Sequence, residues 1–579
     1  MRTGTRRLSG LIALAAATTL AVGACGTDGG SDAGKPSFSE GFAECEAKPN
    51  ECNSGERKQG GTIVFAVNRG VQNWNQFSGD GNLVETVLIL NTVIPSPFIF
   101  LPDGKIQQTE LITEAKITSE SPQTIVYKIN PNAKWDDGTP ITADDFTMMW
   151  KFQNGKDCPK CNVAGTTGFE LISSITGADS GKTVTVTYSS PYPDWQGLFA
   201  LMPAHVGKKA AGGDLNTPAA LEKAFNSFTA QPTWSGWAYK IDKVVKDVQV
   251  EVVPNPQWYG STKPTLDRII FKMITDQKQN VPALQNKEIN GFTAQPSSDM
   301  VTQVKNLAPG VNYEMTGGAV WEHIDVNVKN KYLADQKLRE AIFTAISVQD
   351  IIQKTMSFWP GAKMLGSHNL LPGTPGYEDI VKKVAPDQGS GNIEKAKQIL
   401  TEAGYKDVGT ALKTPSGEAV PELRFLYREG IQTRLQTGEL VQAALAKLGL
   451  KIKIEATANL SDTLDTYNYD LIIFAWSGNP LLSSNKDLWT TGAGNNKLGW
   501  GDPESDRILA EMAKTLDSAK QRQLLNQQDE IMTKAAVVLP LFAKPNLLAL
   551  SSDYINIRDN NQGSYVTYNV ENWGQKKAQ

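Results

Sequence analysis

Histidine is nearly missing from this chain: His205, His323 and His368 are the only three in 579 residues. That excludes a multi-histidine metal centre and leaves little for histidine-based acid–base chemistry. Cysteine is sparse too, at five residues. No apolar run reaches eighteen residues, so no membrane-spanning helix is expected. Neither sign of charge dominates: 57 Lys and Arg stand against 61 Asp and Glu with no dense basic tract, which argues against an electrostatic nucleic-acid binder. Gly-x-Ser-x-Gly, His-Glu-x-x-His and Ca²⁺-loop spacings are all absent. Paired acids such as Asp136-Asp137 and Asp144-Asp145 sit in turn and cap contexts, without the marks of a glycosidase pair. No catalytic residue, metal or cofactor is therefore expected. What is present is 40% hydrophobic and 20% charged residues over a length that one core does not fill, so two or three packed domains are expected.

The N-terminus carries an address. Arg2, Arg6 and Arg7 precede the small and apolar run Leu11 to Val22, which has the form of an export signal over residues 1–24 and is too short to span a bilayer. The tetrapeptide Val22-Gly23-Ala24-Cys25 resembles the bacterial lipobox, which implies lipidation at Cys25 after cleavage. Removing residues 1–24 takes away three arginines and no acids, so the mature balance is 54 − 61 = −7. Gly26 to Gly34 is rich in Gly, Asp and Ser and residues 35–58 are polar, so 25–58 suits a flexible linker. The four other cysteines form two close pairs, Cys45 with Cys52 and Cys158 with Cys161. In an exported chain these favour two local disulfides over a redox Cys-x-x-Cys or a four-thiolate zinc site.

Along the body, Thr62 to Val67 and Ile125 to Ile129 have strand character and Asn82 to Ile94 weak helix character. Thr142 and Asp145 form a capping-box pattern ahead of Phe146, Met149 and Trp150. Gly177 to Thr183 imitates a phosphate-cradling loop but is one residue short, and Thr183 to Tyr188 alternates with period two, so a hairpin turn is expected there. Residues 240–271 are strand-rich; after them helices are expected to dominate, capped by Asp335 and Asn392, with strands at Lys451 to Glu455, Asp470 to Trp476 and Val537 to Phe542. His205 reads as a structural loop histidine. Ser367 and His368 are adjacent, and neighbours on an extended chain point in opposite directions, which argues against a nucleophile and base. Nine of the thirteen tryptophans (Trp74, Trp234, Trp237, Trp258, Trp321, Trp476, Trp489, Trp500 and Trp573) occupy polar, turn-like contexts, and two to four of them are expected to line a ligand cleft.

The segment Trp135-Asp136-Asp137-Gly138-Thr139-Pro140-Ile141-Thr142-Ala143-Asp144-Asp145-Phe146 resembles the signature of the family 5 extracellular solute-binding proteins of ABC importers. Others follow in that family's order: Leu201 to Val206, Trp234 to Lys240, Asn255 to Gly260, Leu338 to Ile346, Ala396 to Tyr405 and Asp502 to Leu509. The resemblance spans about residues 60–575. It implies an α/β fold of two lobes joined by a hinge, of the periplasmic-binding-protein type: first lobe at 59–93, 200–318 and 546–579, inserted subdomain at 94–199, second lobe at 319–545. It further implies capture of oligopeptides between the lobes and delivery to ABC permease and ATPase subunits. The chain is expected as a monomer, outside the cytoplasm and held to the membrane through Cys25. The expected cleft residues are Asn73, Trp74, Trp321, His323, Trp476, Ser477, Gly478 and Asn479, with the backbone of 476–478 pairing to ligand main chain. Peptide binders of the family usually carry an aspartate shortly after that tryptophan, for the ligand's ammonium; Asn479 stands nearest here. This keeps open a receptor for an oligosaccharide or other neutral solute. An exported enzyme or envelope assembly factor on the same fold is a further alternative.

Overall fold

Ten apolar or alternating segments hydrogen-bond into one mixed sheet, and their order explains the architecture. In chain order they are β1 (Thr62–Val67), β2 (Tyr239–Val245), β3 (Gln249–Pro254), β4 (Arg268–Met273), β5 (Gly291–Ala294), β6 (Val311–Val326), β7 (Leu423–Arg428), β8 (Ile452–Thr457), β9 (Leu471–Ser477) and β10 (Val538–Ser551). Across the sheet they run β2-β3-β4-β1-β5-β10-β6-β9-β7-β8, and the short strand Ser39–Glu40 adds to β6 opposite Tyr313 and Glu314. The computed structural model describes residues 39–577 except 46 and 479. The export signal, Cys25 and Asn479 lie outside the described residues. Among those described, no helix is long and apolar enough to cross a membrane.

β6 and β10 are the longest strands and hold the sheet together. Val311 to Gly317 pair with Pro545 to Ser551, and Trp321 to Asp325 pair with Val538 to Ala543; between Gly317 and Trp321 the register breaks. The apolar cores divide at the same place. Tyr313 and Leu547 to Leu550 pack with residues up to 311 and from 554 onward, whereas Trp321, Ile324, Val326 and residues 537–542 pack with the helices and strands between them. The result is two lobes that share two strands.

On the first lobe, a four-stranded antiparallel sheet (Ile112–Glu120, Gln123–Ile129, Thr183–Tyr188, Ile172–Ala178) packs against the helix Ala143–Gln153. Its core is continuous with that of the lobe. The Thr142 side chain and Asp145 form the capping box, and the second Asp145 oxygen accepts the Ala204 amide at 2.8 Å. Burial pushes the Asp145 carboxyl up to about 7. Asp136 accepts the Ser235 amide and Asp137 meets His205 Nε2, each at 2.9 Å. The segment that carries the family resemblance is thus a structural joint. The phosphate-loop imitation is a hairpin turn, with Asp179, Ser180 and Gly181 all at positive φ.

Several expectations need correction. Within 39–58, read as part of a flexible linker, several points are anchored on the body: Phe42 and Cys52 are buried, Arg57–Lys58 pairs with Gly574–Lys576, and Arg558 donates to the Cys52 carbonyl. One phenylalanine and a disulfide anchor a stretch whose composition is otherwise polar. The structure joins Cys45 to Cys52 and Cys158 to Cys161. The helix expected over Asn82 to Ile94 shrinks to Val84–Leu90. β10 runs nine residues past Phe542, and β6 lies in a region where helices were expected to dominate and no strand was placed. Gly317-Gly318 and Lys544-Pro545 interrupt both apolar patterns at the crossing. Seven of the nine tryptophans read from polar contexts are buried: Trp74, Trp234, Trp237, Trp258, Trp321, Trp489 and Trp573.

Candidate ligand site at the crossing of the lobes

The parallel strands β7, β8 and β9 of the second lobe end at Arg428, Thr457 and Ser477, and open α/β sheets bind ligands outside such carboxyl ends. β9 has unequal edges. Along β6 its pairing continues to the end, Trp321 facing Trp476 and Val320 facing Ser477, and the Gly478 amide donates to the Ala319 carbonyl at 2.7 Å. Along β7 the pairing stops at Ile473. Among the described residues no strand covers that edge from Phe474 onward.

Directly opposed residues put their side chains on one face of a sheet, and here that face is an aromatic ladder. His323 lies edge-on to Phe474 at 4.3 Å between centroids, stacks with Trp476 at 6.2 Å and contacts Trp321 at 4.7 Å. His323 Nδ1 meets Asp325 Oδ1 at 2.7 Å, while its Nε2 and the Trp476 indole N–H are buried without a hydrogen-bond partner among the described residues. Unsatisfied buried groups are rare in folded proteins. Both atoms are closed to solvent in this structure, while the Trp476 ring as a whole is half-buried at the end of the ladder.

Trp321, His323, Trp476, Ser477 and Gly478 therefore come together. Asn73 and Trp74 do not join them through any contact of their own. Asn73 accepts the Asn75 amide at 2.9 Å and donates to Ser78 Oγ at 3.1 Å; Trp74 donates its amide to Thr229 and lines a hollow of about 300 Å³ with Val71, Val244 and Met273. Their polar groups are spent on the first lobe's own loop.

Other groups at the crossing carried no sequence signal. Glu322, buried on β6, accepts Arg434 Nε at 3.0 Å and Nη2 at 2.9 Å, with Lys544 Nζ at 3.5 Å. Eight residues earlier, burial and then the charge of Asp559 push the Glu314 carboxyl up to about 8. Asp559 itself accepts Thr316 Oγ1 and Asn546 Nδ2 at 2.8 Å and Asn561 Nδ2 at 3.1 Å. The lobes also touch where the Asp194 carboxylate accepts the Ser483 amide at 2.8 Å and the Ser483 hydroxyl, and burial raises the Asp194 pKa. Ser367 and His368, expected to diverge, converge on Asp529: Ser367 Oγ at 2.6 Å and His368 Nδ1 at 2.5 Å. All three are buried and His368 Nε2 is taken by the Val538 carbonyl, so this is a clasp on the second-lobe core with no opening for a substrate. Among the described residues no three acids, histidines or cysteines are grouped to hold a metal.

Residues 108–498 match the bacterial extracellular solute-binding proteins, family 5 Middle. The oligopeptide-binding protein OppA of Mycobacterium tuberculosis is 28% identical over 521 residues, 88% of this chain and 84% of that protein. Among solved structures, the periplasmic EDTA-binding protein EppA superposes with a TM-score of 0.84 at 33% identity, covering 91% of this chain and 99% of its own. The oligopeptide-binding protein AppA of Bacillus subtilis, in complex with a nonapeptide, superposes at 0.69 with 20% identity, covering 90% and 100%, and bears on the fold alone. With that match over two thirds of its length and these two lobes around a shared pair of strands, the chain belongs to the family 5 extracellular solute-binding proteins that serve ABC importers.

Proposed function

We propose that this protein captures oligopeptides between its lobes and delivers them to the permease and ATPase subunits of an importer. It does so as a binding protein without catalysis, tethered outside the cytoplasm through Cys25. The observation that carries the reading is the open edge of β9 beyond Ile473, beside the unsatisfied Trp476 indole. An extended peptide can add to such an edge through its main chain, with aromatic side chains forming pockets. The lobe boundaries proposed are 59–93, 200–318 and 546–579 for the first, 94–199 for its subdomain and 319–545 for the second. Whole-length similarity to OppA supports the same ligand class.

A second reading is a carboxylate-rich chelate, favoured by the 33% identity to a protein described as EDTA-binding. Native mass spectrometry of the form lacking residues 1–25, as purified, followed by ejection and identification of the bound mass, separates the two. A family of short-peptide masses is the expected result. A single non-peptide mass overturns the peptide reading.

A further inference from the structure

Past the end of β9 the chain leaves its own lobe and lies on the other. Gly478 is still held to β6 through the Ala319 carbonyl; Pro480 then lies beside Gly563, and Leu481 against Gly197 and Phe100. In the turn Leu482–Ser484 the Ser483 amide donates to the Asp194 carboxylate at 2.8 Å and the Ser483 hydroxyl donates to the same oxygen. Phe100, Asp194, Gly197 and Gly563 all stand on the first-lobe side.

Two details show that this contact is built for the other lobe. The backbone of Gly197 lies outside the left-handed region, so its own conformation does not require glycine. What requires it is Leu481: a Cβ on Gly197 would overlap Leu481 Cδ2 and stand 3.1 Å from Phe100 Cζ. Asp194 precedes the short turn Trp195–Gly197, where an aspartate ordinarily caps, yet its side chain makes no cap bond there. Its carboxylate goes to Ser483 instead. Each side is firmly rooted. Trp195 packs edge-on to Phe98 and Tyr127 at 5.5 and 5.9 Å, and the Phe100 amide and carbonyl are held by Ser564 Oγ at 3.1 Å and Asn560 Nδ2 at 2.8 Å. Opposite them, Leu482 is buried in the second-lobe core with Trp489, and its carbonyl accepts Asn485 Nδ2 at 3.0 Å. Seating takes part of Leu481 out of water and gives Ser483 two bonds to a carboxylate, so closure has a stabilising contact of its own, apart from the ligand.

We infer that Gly197 and Leu481 are positioning residues for ligand capture: the strap Pro480–Ser484 carries the backbone of 476–478 onto the first lobe, and the lobes close only where Leu481 enters the seat that Gly197 leaves open. This rests on the reading of the interlobe cleft as the ligand site.

The test is a double-mutant cycle on the mature chain lacking residues 1–25: wild type, Gly197→Val, Leu481→Ala and the two together. Each is measured for its urea midpoint, for its radius of gyration by small-angle scattering with and without a mixture of tripeptides with free termini, and for affinity toward that mixture by isothermal titration. Valine is a sharper probe than alanine, because the end of Leu481 can rotate away from a single methyl. Gly197→Val should change the urea midpoint little, enlarge the radius of gyration and weaken tripeptide affinity by about tenfold. Adding Leu481→Ala should bring radius and affinity back toward wild type, since it removes the atoms that the valine meets. A glycine that only packs its own lobe would lower the midpoint and would not be rescued from across the cleft, and absence of rescue overturns the inference. A radius of gyration equal in wild type and Gly197→Val under both conditions overturns it as well, whatever the peptides do. Equal tripeptide affinity in all four chains overturns it too, while leaving peptide capture intact. If none of the four binds tripeptides and the radius still follows the expected pattern, the peptide reading fails and the strap stands.

Discussion

Glu314 and Glu322 lie eight residues apart on β6, both buried, on either side of the crossing, and the two lobes treat them in opposite ways. On the first-lobe side Glu314 has Asp559 for a neighbour and is driven toward its protonated form, while Asp559 is wrapped by Thr316, Asn546 and Asn561. On the second-lobe side Glu322 has two cations. The same division separates the candidate loops. Asn73 and Trp74 satisfy themselves within the first lobe, whereas the end of β9 keeps an open edge and an unpaired indole. Residue type in the sequence does not tell these two loops apart; the partners each finds on folding do.

The largest effect expected is that of Arg434→Met. It leaves Glu322 buried with only Lys544 at 3.5 Å, and breaking a buried ion pair on one side costs about 3–5 kcal/mol, readable in urea unfolding. A loss below 1 kcal/mol would mean that the second lobe tolerates a lone carboxylate as well as the first.

Glu314 sharpens the contrast through pH. Its folded value of about 8 lies above the ordinary 4.5, so between these pH values the folded protein binds the extra proton. The corresponding stability is present in full below the unfolded value and is lost as pH rises toward 8, on the order of a few kcal/mol across the window. Glu314→Gln should flatten that part of the stability profile, measured by denaturant midpoints from pH 5 to 8.

Trp476→Ala removes the ladder's outer ring and should lower peptide affinity by about 100-fold, the scale of an aromatic hot spot, with little change in melting temperature. Asp194→Ala unties the Ser483 contact between the lobes and should weaken apparent affinity by about tenfold, since the ligand must then stabilise closure alone. Small-angle scattering of the ligand-free variant should show a larger radius of gyration. The smallest effect belongs to Asn73→Ala, about 1 kcal/mol of stability from its lost hydrogen bonds with peptide affinity unchanged. If Asn73→Ala instead lowers affinity as strongly as Trp476→Ala, the contrast between the lobes is broken.

Much of this was written in the sequence. The capping box at Thr142 and the caps at Asp335, Asn392 and Asp502 stand where local chemistry dictates them, because a cap needs only residues two or three positions apart. The strand ending at Ser477 is legible as a continuous apolar run. The crossing is not, because Gly317-Gly318 and Lys544-Pro545 read as breaks even though each strand continues beyond. Glu322, Arg434 and Lys544 are separated by more than a hundred residues, so no local pattern announces that they meet. The tryptophans misled in the other direction: a polar neighbourhood in sequence is compatible with a buried indole once the loop folds back over it, as at Trp573, whose N–H is taken by Asn569.

The two shared strands also set the order in which the molecule can be completed. The second core draws on residues 321–543, one stretch of chain. The first needs Leu548, Leu550, Tyr554 and Trp573 in addition to Phe42 and Phe65, and its small outer sheet joins Arg57 to Lys576. During export the second lobe can therefore fold as soon as its last strand emerges, while the first stays unfinished until nearly the whole chain has crossed. A truncation of the last thirty residues would strip the lobe that begins the protein and spare the one in its middle.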